Sequence, residues 1–270
     1  MAMEQDTGND LSFQNLGMVY EARTGSVAAL DGFSFDVRAN EFITIVGPSG
    51  CGKSTLLQVT SGLQAPTSGK ALLNGRSITG PSPDKAMVFQ SFSLFPWKPV
   101  KQNIEFGLRV SGMSRAERDE LVDYYIGVTG LTGFENHYPR QLSGGMQQRV
   151  AIARALAMRP RVLLMDEPFA ALDAMNRTLM QEELVRIWSE HKPTVLFITH
   201  SVEEAVYMAD KVLVMTKRPG RLKCTIDINA EIGCAHWRTQ PIDEVLLVPK
   251  FQELRHRVWE EVRAEIEVNA

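Results

Sequence analysis

The stretch Glu41-Phe-Ile-Thr-Ile-Val-Gly-Pro-Ser-Gly-Cys-Gly-Lys-Ser-Thr55 carries an apolar, β-branched segment into a glycine-rich loop and from there directly into a helical pattern. Phe42 to Val46 has the composition of a strand buried in a parallel sheet, and Gly47 to Ser54 matches the pattern G-x-x-x-x-G-K-[ST]. Each fixed position has a physical reason. Gly47, Gly50 and Gly52 allow backbone dihedrals closed to other residues, so that successive N–H groups turn inward around an anion at the positive end of the following helix. Lys53 brings a point charge to the β- and γ-phosphates, and the Ser54 hydroxyl is a ligand for Mg²⁺. Pro48, Ser49, Cys51 and Thr55 complete the cradle. A glycine-rich loop alone usually marks a turn; the strand before it, the Lys-Ser-Thr within it and the helix after it point to nucleotide phosphates.

The bulk properties narrow the partners. A chain of 270 residues, 44% hydrophobic and 23% charged, has the composition of an ordinary globular protein with a sizeable core. A formal net charge of -3 gives no field for holding DNA or RNA, and no local basic patch stands out, so no nucleic-acid partner is expected. The three cysteines, Cys51, Cys224 and Cys234, suit a reducing compartment better than a disulfide framework. Cys234 and His236 are too few ligand types to make a metal site. The polar, acidic start carries no secretory signal, and no apolar run approaches the roughly 20 residues of a spanning helix, so any membrane role is expected to be peripheral.

Working outward from the phosphate loop, Leu11 to Tyr20 and Phe33 to Val37 have strand character and frame a loop over Glu21 to Asp31. A helix is expected over Ser54 to Ser61, then a short strand from Lys70 ending in the Asn74-Gly75 turn, and another at Ala86 to Gln90. From Ser91 to about Arg140 an aromatic, proline-bearing loop with Phe92, Phe95, Pro96, Trp97 and Pro99 gives way to helical patterns. Ser114 and Glu117 form a capping box there, opening a helix to Gly127. Leu142-Ser-Gly-Gly-Met-Gln-Gln-Arg149 opens a further helix through Val150, Ile152, Ala153 and Leu156, a second helix start able to receive an anion. Arg161 to Asp166 is a strand of the doubly buried kind that delivers Asp166 and Glu167 at its carboxyl end, where open parallel sheets place their sites. Thr194 to His200 repeats the arrangement, with Ser201 and Glu204 capping the next helix. Lys211 to Thr216 is the last core strand and Arg218-Pro-Gly-Arg221 a turn. Phe251, Leu254, Val258, Val262 and Ile266 then mark an amphipathic terminal helix. Strand and helix alternate, as in an α/β core.

These motifs, each present once and in order, make the chain resemble the ATP-binding subunits of ABC (ATP-binding cassette) transporters over about 11–221. The phosphate loop is shared with kinases, GTPases and motor proteins. The signature Leu142-Ser-Gly-Gly together with Gln90, Glu167 and His200 is not, and the guanine-reading Asn/Thr-Lys-x-Asp of GTPases is absent. This chain has Met146 where the family most often has Gln. The loop Leu94-Phe-Pro-Trp-Lys98 and the turn Arg218-Pro-Gly-Arg221 resemble the subgroup serving nitrate, sulfonate and taurine importers.

The resemblance implies a P-loop NTPase fold: a parallel-sheet core, an N-terminal antiparallel β part, and a helical insertion over about 91–157. Residues 222–270 would form a C-terminal extension. It implies ATP and Mg²⁺ as ligands, with Ser54, Gln90 and Asp166 at the metal, Glu167 orienting or deprotonating the attacking water, His200 at the γ-phosphate and Tyr20 stacking on adenine. Ser143, Gly144 and Gly145 would close on the ATP of a second copy in a head-to-tail dimer, with Asp173 communicating across the seam. The implied partners are that copy, an integral membrane permease and, indirectly, an extracytoplasmic solute-binding protein, at the cytoplasmic face of the inner membrane. An ABC-type ATPase of DNA maintenance or translation is the competing reading, but such chains carry long coiled-coil insertions or two cassettes. A catalytically silent cassette would have lost Glu167 or His200, and both are present.

Overall fold

Two long antiparallel strands, β1 (Asn9–Ala22) and β2 (Gly25–Arg38), open the computed structural model, which describes residues 9–22, 25–232, 237–238 and 240–267. The loop expected at Glu21 to Asp31 is instead largely strand, with Tyr20 opposite Val27 and Glu21 opposite Ser26. Gly25 to Ala28 are all exposed, so no alternation of buried and exposed side chains announces them. Their strand character comes from the antiparallel backbone ladder. Toward Arg38 the alternation returns, and Leu11, Phe13, Leu16 and Phe33 are buried.

The chain continues through β3 (Phe42–Val46), α1 (Lys53–Ser61), β4 (Ser68–Leu73) and β5 (Arg76–Ser77). Next come β6 (Lys85–Val88), α2 (Val100–Val110), α3 (Arg115–Val128), α4 (Gly144–Ala157), β7 (Val162–Asp166) and α5 (Ala174–His191). It closes with β8 (Thr194–Ile198), α6 (Val202–Met208), β9 (Lys211–Met215), β10 (Leu222–Asp227), α7 (Ile228–Ile232), α8 (Ile242–Val245) and α9 (Pro249–Glu267). Packing sorts these into two units, Met1–Ser82 with Lys192–Ala270, and Pro83–His191. The stretch 222–270 thus falls in the first unit.

In the first unit β1 and β2 belong to an antiparallel sheet of order β2-β1-β4-β5. β3 lies between two parallel neighbours, Phe42 to Ile45 facing Val195 to Ile198 of β8 and Ile43 to Val46 facing Lys211 to Val214 of β9. All residues of β3 and β8 are buried, as their unbroken apolar runs require. β10 adds an antiparallel edge to β9. Of its residues only Ile226 is buried, which leaves no strand pattern in the sequence. α9 packs Phe251, Leu254 and Val258 inward, against α6 and β9, while Ile266 at its end is 62% exposed. Among the described residues no helix is long and apolar enough to cross a membrane.

Asp210 ties this unit together. Its carboxylate accepts from the Phe42 amide at 2.7 Å and from Asn229 Nδ2 at 2.6 Å, and meets Arg238 Nη2 at 2.9 Å. Burial holds the Arg238 guanidinium below its ordinary pKa, and the Asp210 charge opposes that only in part. Asp210→Ala removes that countercharge, and we expect it to cost about 3–5 kcal/mol in denaturant unfolding. A loss of only about 0–1 kcal/mol, typical of an exposed pair, would contradict the assignment.

In the second unit β6 and β7 run parallel, Lys85 opposite Val162 and Val88 opposite Met165. The helices α2, α3 and α4 share an apolar interior that includes Ile104, Leu108, Val122, Ile126 and Val150. The capping box forms as expected: Ser114 Oγ accepts from the Glu117 amide at 3.4 Å and Glu117 Oε2 from the Ser114 amide at 3.2 Å.

Candidate phosphate-binding and catalytic site

The phosphate loop leaves β3 at its carboxyl end. Gly50 and Gly52 take φ of 73° and 109°, values that side chains disfavour, and Gly52 opens α1 with no side chain capping it. The amides of the first helical turn therefore face outward as donors for an anion. Lys53 is 5% exposed, and its Nζ donates to the Gly47 and Pro48 carbonyls at 2.9 Å each. Ser49, Gly50 and Ser54 are exposed, Pro48 half-buried, and Thr55 lies just inside. This arrangement suits a triphosphate with its cation: a buried ammonium, uncapped amides and a free-standing serine hydroxyl share one loop. Cys51 is buried behind it, and burial pushes its thiol up despite the nearby Lys53 charge. Tyr20 reaches the same helix, its hydroxyl 3.3 Å from Thr55 Oγ1.

His200 follows β8. Because β8 and β3 are parallel with Ile45 opposite Ile198, His200 emerges at the same sheet edge as Gly47. Ser201 caps α6 by accepting from the Glu204 amide at 3.2 Å. The Glu204 carboxylate accepts from the Thr199 hydroxyl. A cleft of about 480 Å³ beside His200 is lined also by Glu203, Arg255, His256 and Trp259.

In the second unit, the pairing of Val88 with Met165 brings Gln90 and Glu167 out at one end, and Gln90 Nε2 donates to Glu167 Oε2 at 3.2 Å. Glu167 has φ of 49°, uncommon for a non-glycine residue and often found at functional sites. Asp166 just before it is buried.

The signature, apart in the sequence, is a second glycine-bearing helix start, but unlike the phosphate loop it carries a side-chain cap. Ser143 is the N-cap of α4, its Oγ accepting from the Met146 amide at 3.3 Å, and Gly144 is exposed. A Cβ on Gly145 would lie 3.1 Å from Leu172, which packs this helix start against the segment carrying Asp173. Asp173 caps α5, accepting from the Asn176 amide at 3.0 Å and from its side chain at 2.6 Å. The Asn176 bonds hold the Asp173 carboxyl below its ordinary value, so this cap persists until the pH falls through that lowered value. Arg149 in turn bonds Asn176.

Sequence reasoning missed Asn103. It is fully buried in α2, accepting from the Phe95 amide at 2.8 Å and donating to the carbonyls of Phe95, Lys98 and Pro99 at 3.2, 2.7 and 3.2 Å. An asparagine inside an apolar helical pattern is the only signal the sequence offers. Cys234 and His236 lie outside the described residues.

Comparison with known proteins gives the geometry a family. The sequence model of the ABC transporter family matches residues 30–170. The chain is 52% identical over 221 residues, 82% of itself and 83% of the relative, to an uncharacterized ABC transporter ATP-binding protein of Methanocaldococcus jannaschii. It is 49% identical to a nitrate import ATP-binding protein of Synechocystis, covering 81% of this chain and 82% of that one. It is 47% identical to a taurine import ATP-binding protein of Roseobacter denitrificans, covering 93% and 94%. A solved dimeric ATP-binding cassette in a post-hydrolysis state with ADP and Pi superposes with a TM-score of 0.74 at 30% identity, covering 81% of this chain and 98% of that one. The α/β architecture, the phosphate loop and these likenesses agree, and the chain belongs to the ABC transporter family as one of its ATP-binding subunits.

Proposed function

We propose that this chain is the ATPase of a solute importer of the nitrate, sulfonate or taurine type, working in pairs at the cytoplasmic face of a membrane on an integral permease. The observation that carries this reading is the likeness to nitrate and taurine import ATP-binding proteins over four-fifths or more of the chain. The solute itself would be chosen by the permease and an extracytoplasmic solute-binding protein.

In this reading the amides of Gly47 to Thr55 and the Lys53 ammonium hold the phosphates of ATP, with Tyr20 against the adenine. Ser54, Gln90 and Asp166 are the residues that would hold Mg²⁺, which supplies countercharge to the β- and γ-phosphate oxygens. Glu167 takes a proton from the water whose oxygen bonds to the γ-phosphorus as the bond to ADP breaks, and the Gln90 amide orients the Glu167 carboxylate. His200 contacts the γ-phosphate. Ser143, Gly144 and Gly145 serve the nucleotide of a second copy, because the amides around one triphosphate are already supplied by the phosphate loop. The dimeric cassette solved with ADP and Pi supports pairing.

The aromatic loop is the proposed permease contact, and its residues divide into two roles. Phe95 is half-buried, its ring 4.6 Å from Phe106 and under the Arg154 guanidinium at 5.8 Å, so it holds the loop. Trp97 is 70% exposed and is the side chain offered to a partner. Trp97→Ser is therefore expected to leave the melting temperature and basal ATPase unchanged while the permease no longer copurifies. Normal copurification would rule out docking at this loop.

A further inference from the structure

The turn between β9 and β10 lies behind the phosphate loop, with Gly220 set against the Cys51 carbonyl. We infer that Thr216–Arg221 is a brace for that loop, so that Gly220 and Thr216 act as positioning residues that set nucleotide affinity without contacting nucleotide. This rests on the reading of Gly47 to Thr55 as the nucleotide site. Gly220 does not use a left-handed dihedral; what it provides is space. A Cβ there would lie 2.1 Å from the Cys51 carbonyl oxygen and 2.7 Å from Met215 Cε. The Gly220 amide donates to the Ala29 carbonyl at 2.9 Å, and its own carbonyl accepts from the Asp31 amide at 3.1 Å.

The same carbonyl of Ala29 backs the loop at its next residue, since a Cβ on Gly52 would lie 2.5 Å from it. Farther along, a Cβ on Gly47 would lie 2.9 Å from the Met215 carbonyl oxygen at the end of β9. The loop is thus cast against β2, the end of β9 and the turn, with glycine on one side or the other of each close approach. Thr216 closes the turn: its Oγ1 accepts from the Arg221 amide at 3.0 Å and lies 3.0 and 3.1 Å from the Lys217 and Pro219 carbonyls. Arg221 pairs with Asp31, and the Lys217 amide donates to Glu265 of α9 at 3.1 Å, so strand β2 and the C-terminal helix hold the brace from both ends. A cradle made of amides depends on where the backbone points them, and losing one charge-assisted hydrogen bond to phosphate weakens binding about ten- to hundredfold.

The test compares wild type with Gly220→Ala, Thr216→Val and Thr216→Ser by thermal melting, by hydrogen exchange of the amides of residues 47–54, and by titration with a fluorescent ATP analogue and Mg²⁺. Gly220→Ala and Thr216→Val are expected to speed exchange in 47–54 and weaken binding about ten- to hundredfold. Thr216→Ser keeps the hydroxyl and should behave as wild type in both. Unchanged exchange and affinity in folded Gly220→Ala and Thr216→Val proteins overturn the brace. If Gly220→Ala does not fold, the contrast of valine with serine at 216 decides. Failure of wild type to bind the analogue would overturn the nucleotide-site reading, and the exchange data would still decide the brace.

Discussion

Glu167→Gln is expected to lower turnover of ATP about 10²- to 10⁴-fold, the usual contribution of a positioned general base, while leaving ATP binding in place. The glutamine keeps the shape of the side chain and an oxygen that can accept the 3.2 Å bond from Gln90, so the φ of 49° at this position needs no readjustment. What it loses is the lone pair basic enough to take a proton from water. With hydrolysis stopped, the γ-phosphate that would bridge two copies in the proposed dimer stays, and the variant should elute as a dimer in Mg-ATP and as a monomer without it. A variant that hydrolyses ATP at the wild-type rate and elutes alike in both conditions would remove both the base and the dimer.

Lys53→Ala is expected to weaken Mg-ATP binding about ten- to hundredfold or more, since charge-assisted hydrogen bonds contribute about 1.5–3 kcal/mol. Two losses combine. The phosphates lose a buried point charge, and the loop loses the two 2.9 Å bonds by which Nζ ties the Gly47 and Pro48 carbonyls to the start of α1. The second loss predicts faster amide exchange around Gly47 even without nucleotide. Wild-type affinity of the purified variant for a fluorescent ATP analogue would contradict the assignment of Lys53.

The parts of the fold that were legible are those in which side-chain pattern and backbone role coincide. β3 spans Phe42–Val46 as its apolar run predicts, because a strand buried on both faces must be apolar throughout. β7 and β8 were found for the same reason, and the helix α3 from its capping box. The hairpin of β1 and β2 is legible at Leu11 to Tyr20 and at Phe33 to Val37 but not over the turn-side stretch between them, nor is β10, because exposed ladders are held by backbone bonds that any sequence can supply. Residues of the site itself were found through chemistry at the ends of strands. Residues that act behind it were not: Asp210 and Gly220 work through contacts with segments distant in sequence, and Asn103, whose bonds to the Phe95, Lys98 and Pro99 backbone are local, shows only as a polar residue inside an apolar helical pattern.

The central claim is that ATP is hydrolysed only where two copies meet, the phosphate loop of one against the signature of the other. Its most direct test is phosphate release from Mg-ATP by the purified chain over a range of concentrations, with the oligomeric state followed by light scattering. The account predicts that activity per chain rises with the dimer fraction and vanishes with it. Full activity per chain at dilutions where only monomer is present would contradict it.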